Sequence, residues 1–435
     1  MPAEEKVMNR WLVVIGGILI QLCLGAIYAW SAFTKKLTDP ETFNFTKEET
    51  QWIFAVGLAS FAFFMALIAG KWQAKVGPRI VAITGGLIMG AGYVIASFAP
   101  STHDAFWQIL IGVGLLGGAG IGFAYVCPIA ALVKWFPDKK GLITGLAVAG
   151  FGFGALIWVK LTGGFTFGPV KLTGDWEGLY GMGLTVQQVF LWYGIAFAIF
   201  VTLGALVMVN PPEGWLPRGW TPPPASQASS GSANFTMRQM VGTPQFWGLF
   251  LTFVFGATAG LMVIGIIKLF GIDKLQAAGI DPAEANVMTG TAMGLFYALF
   301  NGLGRIIWGT VSDFTGRKAA IILMCLAQGI MMIAFYYIAG SEWGLYIGAA
   351  VIGFNFGGNF ALFPAATADF FGNKNVGSNY PLVFLAYGVG GIIGPILGGR
   401  MGDAANWQMA IIPAGIACLV GAVIMIAMKP PRPLA

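Results

Sequence analysis

Apolar runs of about twenty residues, broken by short polar loops, recur along the whole chain, and each is long enough to cross a hydrocarbon core as a helix. They predict about twelve spans. The first half supplies 11–33, 51–70, 80–99, 106–132, 141–162 and 189–209. The second half supplies 245–267, 285–311, 319–339, 343–366, 380–399 and 407–428. Only helices or closed barrels satisfy the backbone in lipid, and runs of this length are helical. The pattern predicts an all-α polytopic membrane protein. Its first run, Trp11 to Phe33, is too long for the apolar region of a cleavable signal and reads as a true span. Between the sixth and seventh spans lies PPEGWLPRGWTPPPASQASSGSANFTMRQMVGTP, rich in Pro, Ser and Gly, which reads as a linker. The predicted division is a six-helix bundle at 1–210, a cytoplasmic linker at 211–243 and a second six-helix bundle at 244–435. The loop at 163–188, with Asp175 and Glu177, faces outside, and no function is assigned to it.

Basic residues orient the chain. With the N-terminus inside, Lys71, Lys75, Arg79, Lys134, Lys139, Lys140, Arg317, Lys318 and Lys374 fall on the inner side. Lys35, Lys36, Lys47, Lys268, Lys274 and Arg400 fall outside. Over the whole chain the bias is roughly two to one inward, which makes both termini cytoplasmic. Composition sharpens the picture: 57% of residues are hydrophobic and 10% charged, against about 25% charged in soluble domains. The net charge of +6 is spread over short loops and does not point to nucleic acid. Cys23, Cys127, Cys325 and Cys418 all fall within predicted spans and read as small apolar residues. With His103 alone in a short loop and no intramembrane carboxylate cluster, neither an enzyme centre nor a metal site nor a cofactor is expected.

One predicted span carries an arginine. In ANVMTGTAMGLFYALFNGLGRIIWGTVSDFTGRK, residues 285–318, Asn301 and Arg305 stand four apart on one helix face. Arg305 lies about 12 Å of helix from Asp313, which marks the membrane surface. That depth puts it near the middle of the bilayer, where an arginine costs at least about 2.5–3.5 kcal/mol on insertion scales. No acidic residue lies deep in any other predicted span. The expected reading is a fixed positive charge facing a polar cavity and an anion; the plainer alternative is an arginine that snorkels or pairs with a distant carboxylate.

The halves repeat. GKWQAKVGPR at 70–79 corresponds to GTVSDFTGRK at 309–318. WFPDKKG at 135–141, followed by GFGFG at 150–154, corresponds to FFGNKN at 370–375, followed by YGVGG at 387–391. Such repeats mark a two-bundle transporter with its site at mid-depth; glycine-rich spans also serve plain helix packing.

At these motifs the chain resembles the major facilitator superfamily. GTVSDFTGRK matches the signature G-x-x-x-D-x-x-G-R-K of its conformational-gate loop at Gly309, Asp313, Gly316, Arg317 and Lys318. The N-terminal copy has Ala74 at the acidic position, which implies a weaker charge latch there. NRWLVVIGG at 9–17, GAIYAWSAF at 25–33, KWFPDKKGLITGLAVAGFGFGA at 134–155 and LFPAATADFFG at 362–372 resemble the oxalate/formate antiporter family, relatives of the monocarboxylate transporters. The resemblance implies two pseudo-symmetric six-helix bundles, a bacterial inner-membrane location and a protein that works as a monomer. It carries the family's anion-binding arginine onto Arg305. The family's second cation, a lysine in the eleventh helix, is replaced here by Tyr387. The acidic residue that monocarboxylate transporters carry four positions before the arginine is replaced by Asn301, which can still hydrogen-bond a substrate or orient the guanidinium.

Tyr28 and Tyr125 match aromatic positions lining the family's site. A buried tyrosine hydroxyl needs a partner, which is a substrate oxygen or a backbone carbonyl. Asn355, Phe356, Asn359 and Phe360 form a polar and aromatic cluster on the tenth span, with Phe360 in the place Tyr125 holds in the other half. The phenylalanines cap the apolar end of a small acid or simply pack. Trp30, Gln21 and Lys134 are further lining candidates, although Trp30 also reads as an interfacial anchor and Lys134 sits at the cytoplasmic rim. The resulting expectation is a secondary carrier of small monocarboxylates such as lactate, pyruvate or formate, working by anion exchange or linked to protons. An oxalate/formate-type exchanger is the second expectation, and a carrier-like anion sensor the third. The sensor is disfavoured because the chain shows only a linker and short tails outside the spans.

Overall fold

The computed structural model describes residues 8–138, 140–163, 178–212, 215–217, 219, 234–372, 375–429 and 431. Among them every regular element is helical. The long helices are α1 (Arg10–Leu37), α2 (Lys47–Val76), α3 (Pro78–Ser97), α4 (His103–Trp135), α5 (Lys140–Gly163), α6 (Val186–Leu206) and α7 (Pro244–Ala277). Next comes α8, running without a break as Pro282–Thr291, Ala292–Tyr297 and Ala298–Thr315. The chain ends with α9 (Arg317–Ile338), α10 (Glu342–Phe371), α11 (Val376–Asp403) and α12 (Gln408–Ala427). Eleven of the described helices are long and apolar enough to cross a membrane, and α8 is not among them. Its deficit comes from Asn301, Arg305 and its threonines and glycines, so the helix predicted to carry the site is also the least lipid-like.

Helix starts follow local chemistry. Thr46 and Glu49 form a capping box at α2, and Thr185 and Gln188 form another at α6, each satisfying amides that a helix end leaves bare. Asp281 caps α8 ahead of Pro282. The two repeated loops turn alike: Gly77 between α2 and α3 and Gly316 between α8 and α9 both have φ +84°, a region that favours glycine.

Most predicted spans fall inside these helices to within a few residues. The exception is α7, expected to end at 267, which continues to Ala277. Lys268 and Lys274, expected in an outer loop, are therefore helical, and Lys268 is buried. Hydropathy reports only the lipid-thick part of a helix. Here the extra turns are held by Asp273, which accepts from Lys47 and Trp407, and by Lys274, whose ammonium lies 3.8 Å from the Tyr336 ring centre. Within the long loop, 164–177 with Asp175 and Glu177 lie outside the described residues, as do Lys139, Lys374 and linker residues 213–214, 218 and 220–233; the side chain of Lys140 is likewise not described. The described linker ends are docked. Trp215 packs on Trp135, with ring centres 4.9 Å apart, and Phe235 is buried with its amide donating to the Phe371 carbonyl at 2.9 Å.

Helices α1–α6 pack among themselves, as do α7–α12. The two groups meet along α2 with α11, α5 with α8, and α1 with α7. The start of α1 and the end of α12 lie on one face, called here the terminal face; the opposite one is the far face.

Candidate binding site

The site is built where α5 and α8 touch. A Cβ on Gly152 would lie 3.0 Å from the Cα of Gly302, and one on Gly302 would strike the Phe153 ring. Small residues let the two backbones approach, and that approach carries Arg305 against the opposite group. Arg305 is 2% exposed. Its Nε donates to Asn301 Oδ1 at 3.1 Å and its Nη1 donates to the Val148 carbonyl of α5 at 3.0 Å. Its Nη2 has no hydrogen-bond partner, and neither has Asn301 Nδ2. No carboxylate pairs with the guanidinium among the described residues. Ring faces surround it instead: its carbon lies 4.1 Å from the Phe360 centre and 5.5 Å from that of Phe151, a favourable arrangement for a desolvated cation.

The tyrosines complete an aromatic box. Tyr28 stands on a tightened stretch of α1, Gly25–Ala29, where Gly25 presses on Phe151 and Gly154 of α5. Such local tightening often marks a functional place in a helix. The Tyr28 hydroxyl lies 3.1 Å from that of Tyr387, joining the two groups. Tyr125 packs edge-on against Phe61 and Phe151, at 5.1 and 5.3 Å. Tyr28 and Tyr125 both pack edge-on against Phe151, whose ring centre lies 5.5 Å from the Arg305 guanidinium carbon. Phe384 stacks on Tyr387 with centres 5.0 Å apart, and Phe356 bridges Tyr28 and Phe360 at 5.7 and 5.3 Å.

Of the residues expected to line the site, Arg305, Tyr28, Tyr125, Tyr387, Phe356 and Phe360 come together, with Asn301 directly behind the arginine. Asn355 and Asn359 turn elsewhere. Asn355 Oδ1 accepts from Trp308 Nε1 at 3.2 Å, and Asn359 Nδ2 donates to the Phe356 carbonyl at 2.9 Å while its Oδ1 faces Gly256. Gln21 Nε2 donates to the Tyr125 carbonyl at 3.2 Å and so braces the box from outside. Trp30 is buried and donates to the Thr50 carbonyl at 2.9 Å. It is thus held in packing between helices, outside the box and away from the interface that was its alternative reading. Lys134 donates to Asn210 Oδ1 at 3.1 Å. Phe61, Phe151, Phe384 and the Val148 carbonyl escaped the sequence reading. Phe384 had a signal, three positions before Tyr387 on one helix face. Phe151 was hidden in a glycine-rich motif read as packing, and a backbone carbonyl leaves no mark in a sequence.

The family model described as Major Facilitator Superfamily matches residues 11–341 and 275–435. The chain belongs to the major facilitator superfamily. It is 28% identical to the uncharacterized MFS-type transporter YhjX of Escherichia coli (strain K12), over 90% of this chain and 88% of that protein. It is 25% identical to the oxalate:formate antiporter of Oxalobacter formigenes, over 95% of this chain and 90% of that one. It is 24% identical to apicoplast pyruvate carrier 1 of Toxoplasma gondii, over 88% and 82%. In this superfamily member the signature loop closes on its own group. Arg317 pairs with Asp313, lies 3.6 Å from Asp369, and donates to Ser312 and to the Gly309 carbonyl. Lys318 donates to the carbonyls of Ile426 and Met428, at 3.0 and 2.6 Å.

Proposed function

We propose that the chain is a secondary carrier of small monocarboxylates, with Arg305 as the carboxylate-binding group. The observation that carries this reading is a buried guanidinium with one unpartnered nitrogen and a second one resting on a backbone carbonyl of the opposite helix group. A carboxylate is the better partner for both: bidentate, charge-assisted pairing suits the planar fork. Binding would displace the Val148 carbonyl and so remove a mid-depth bond between the groups. In this reading the tyrosine hydroxyls of 28 and 125 would donate to a carboxylate or substrate hydroxyl. The rings of Phe151, Phe356 and Phe360 would enclose a methyl or methylene end. With Tyr387 rather than a cation opposite Arg305, the box holds one positive charge and suits one negative charge; a dianion would leave a charge unpaired in low dielectric. That balance favours a monocarboxylate over oxalate.

In this reading residues 1–210 and 244–435 rock as two bundles around the box, joined by 211–243, with the loop from Gly309 to Lys318 as part of the gate. The basic bias of the loops supports both termini being cytoplasmic, and the likeness to transporters of Escherichia coli and Oxalobacter formigenes supports a bacterial inner membrane. The empty site keeps Arg305 compensated only by Asn301, a carbonyl and ring faces, so reorientation is easier with an anion bound, which favours exchange. A co-transported proton would arrive on the substrate or through a tyrosine.

The test is uptake of labelled lactate, pyruvate, formate and oxalate into proteoliposomes, with and without a pH gradient. Arg305→Ala and Arg305→Lys should each lower uptake at least about a hundredfold, since losing one partner of a buried charged pair costs several kcal/mol. Near-normal uptake by purified Arg305→Ala, or preference for oxalate over the monoacids, would overturn the assignment.

A further inference from the structure

A second cation is buried in the molecule, and the aromatic box does not use it. Lys268 of α7 is 8% exposed. Among the described residues no hydrogen bond or ion pair reaches its ammonium group, and its charged neighbours are Lys35 and Lys36, both positive. Three carboxylates at this end of the helices are engaged elsewhere. Asp273 accepts from Lys47 and Trp407, Asp403 accepts from the amides of Lys47 and Glu48, and Glu48 holds Arg400. A lysine this buried beside two like charges, with no counter-charge among the described residues, is costly unless an anion joins it.

The position of Lys268 says which anion it meets. It lies on the α1–α7 seam between the two groups, about 12 Å along α7 from Gly260. Gly260 borders the box: its carbonyl accepts from the Tyr297 hydroxyl at 3.0 Å and its backbone is pressed against Phe356. Lys268 therefore stands between the box and the far face, too far along the helix to share a small substrate with Arg305.

We propose that Lys268, with Lys35 and Lys36 beside it, is an entry site that holds a small carboxylate on the far-face side of the box before it passes to Arg305. This rests on the reading of Arg305 as the carboxylate group. A buried lysine with the exposed Lys35 and Lys36 nearby raises the local concentration of anions, and with no hydrogen bond to it among the described residues the ammonium protons of Lys268 are available to carboxylate oxygens. The site faces one way: an anion arriving from the terminal face reaches Arg305 without passing Lys268.

Two measurements test it. In the first, purified full-length protein is titrated with sodium formate against sodium chloride at equal ionic strength, and thermal stability is followed. In an Arg305→Gln background, which lacks the central charge, formate should still stabilise the protein, and adding Lys268→Gln should abolish that shift. An equal formate shift in single and double variants, or an equal shift from chloride, overturns the entry site whether or not the protein transports any acid. In the second, half-saturation for labelled pyruvate is compared in right-side-out and inverted vesicles. Lys268→Gln should raise it about tenfold from the far face only, the effect of losing one charged hydrogen bond, and Lys268→Arg should largely restore it. Equal changes from both faces overturn the proposal. Failure of wild-type protein to move any monoacid would instead count against the transport reading, leaving the formate titration to decide the entry site.

Discussion

At the far face the two helix groups are clasped together; at the terminal face the ion pairs among the described residues each stay within one group. Asp403 of α11 accepts from the amides of Lys47 and Glu48 at 2.7 and 2.8 Å, so the second group caps the first turn of a helix in the first. Arg400 grips Glu48 with two bonds, Lys47 reaches Asp273, and Gln51 donates to the Gly265 carbonyl. At the terminal face Arg10 pairs with Asp138 inside the first group, and Arg317 with Asp313 and Asp369 inside the second. Among the described residues no ion pair crosses between the groups there. Charge that crosses a seam holds it shut, while charge that stays on one side only stiffens that side. The conformation described here is therefore closed at the far face by specific polar contacts. Among the described residues no ion pair links the groups at its terminal face, and two mid-depth bonds, Arg305 to Val148 and Tyr28 to Tyr387, lie between the two faces.

Breaking the clasp at its cap should have the largest effect on this asymmetry. Asp403→Ala leaves two helix-end amides without their acceptor, a loss of about 1 kcal/mol and hence about a fivefold shift in population. The readout is alkylation of Phe54→Cys, buried against Gly265 in the same seam, by a membrane-impermeant maleimide, which should speed up by that factor; an unchanged rate would mean the cap does not hold the seam. Next comes the exposed pair. Glu48→Arg should speed the same reaction through repulsion from Arg400, and adding Arg400→Glu should bring it back. Failure of the double reversal to restore protection would show that the two residues do not act as a pair. The smallest effect is expected at the terminal face. Asp313→Asn removes a contact within one group, so the far-face reporter should change less than about twofold, as for ordinary exposed ion pairs. A large change would mean that the signature loop already communicates across the seam in this state.

The helices and the arginine were readable because hydropathy and a charge at mid-depth are one-dimensional signals. So were Tyr28, Tyr125 and Tyr387, through the motifs that carry them. What escaped depended on direction and on backbone. Asn355 and Phe356 are adjacent in sequence but about 100° apart around α10. The phenylalanine therefore faces Tyr28, while the asparagine meets Trp308. The carbonyl that Arg305 rests on belongs to Val148, and any residue type could supply it. Lys268 was misplaced because an apolar run ends where lipid ends, whereas α7 runs on, supported by Asp273 and its partners.

The weak hydropathy of α8 also bears on how the chain is made. Each segment leaving the ribosome must partition into lipid, and the one with Arg305 carries a penalty of at least about 2.5 kcal/mol at its arginine. Its successor is strongly apolar, with a mean hydropathy of 2.1, and only Gly316 separates the two. The pair is thus built to enter as a hairpin, with α9 drawing α8 in behind it. A chain halted just after Thr315 should leave α8 outside the bilayer, and one halted after Ile338 should retain it. The residue that would select the cargo thus also sets the order in which the protein is assembled.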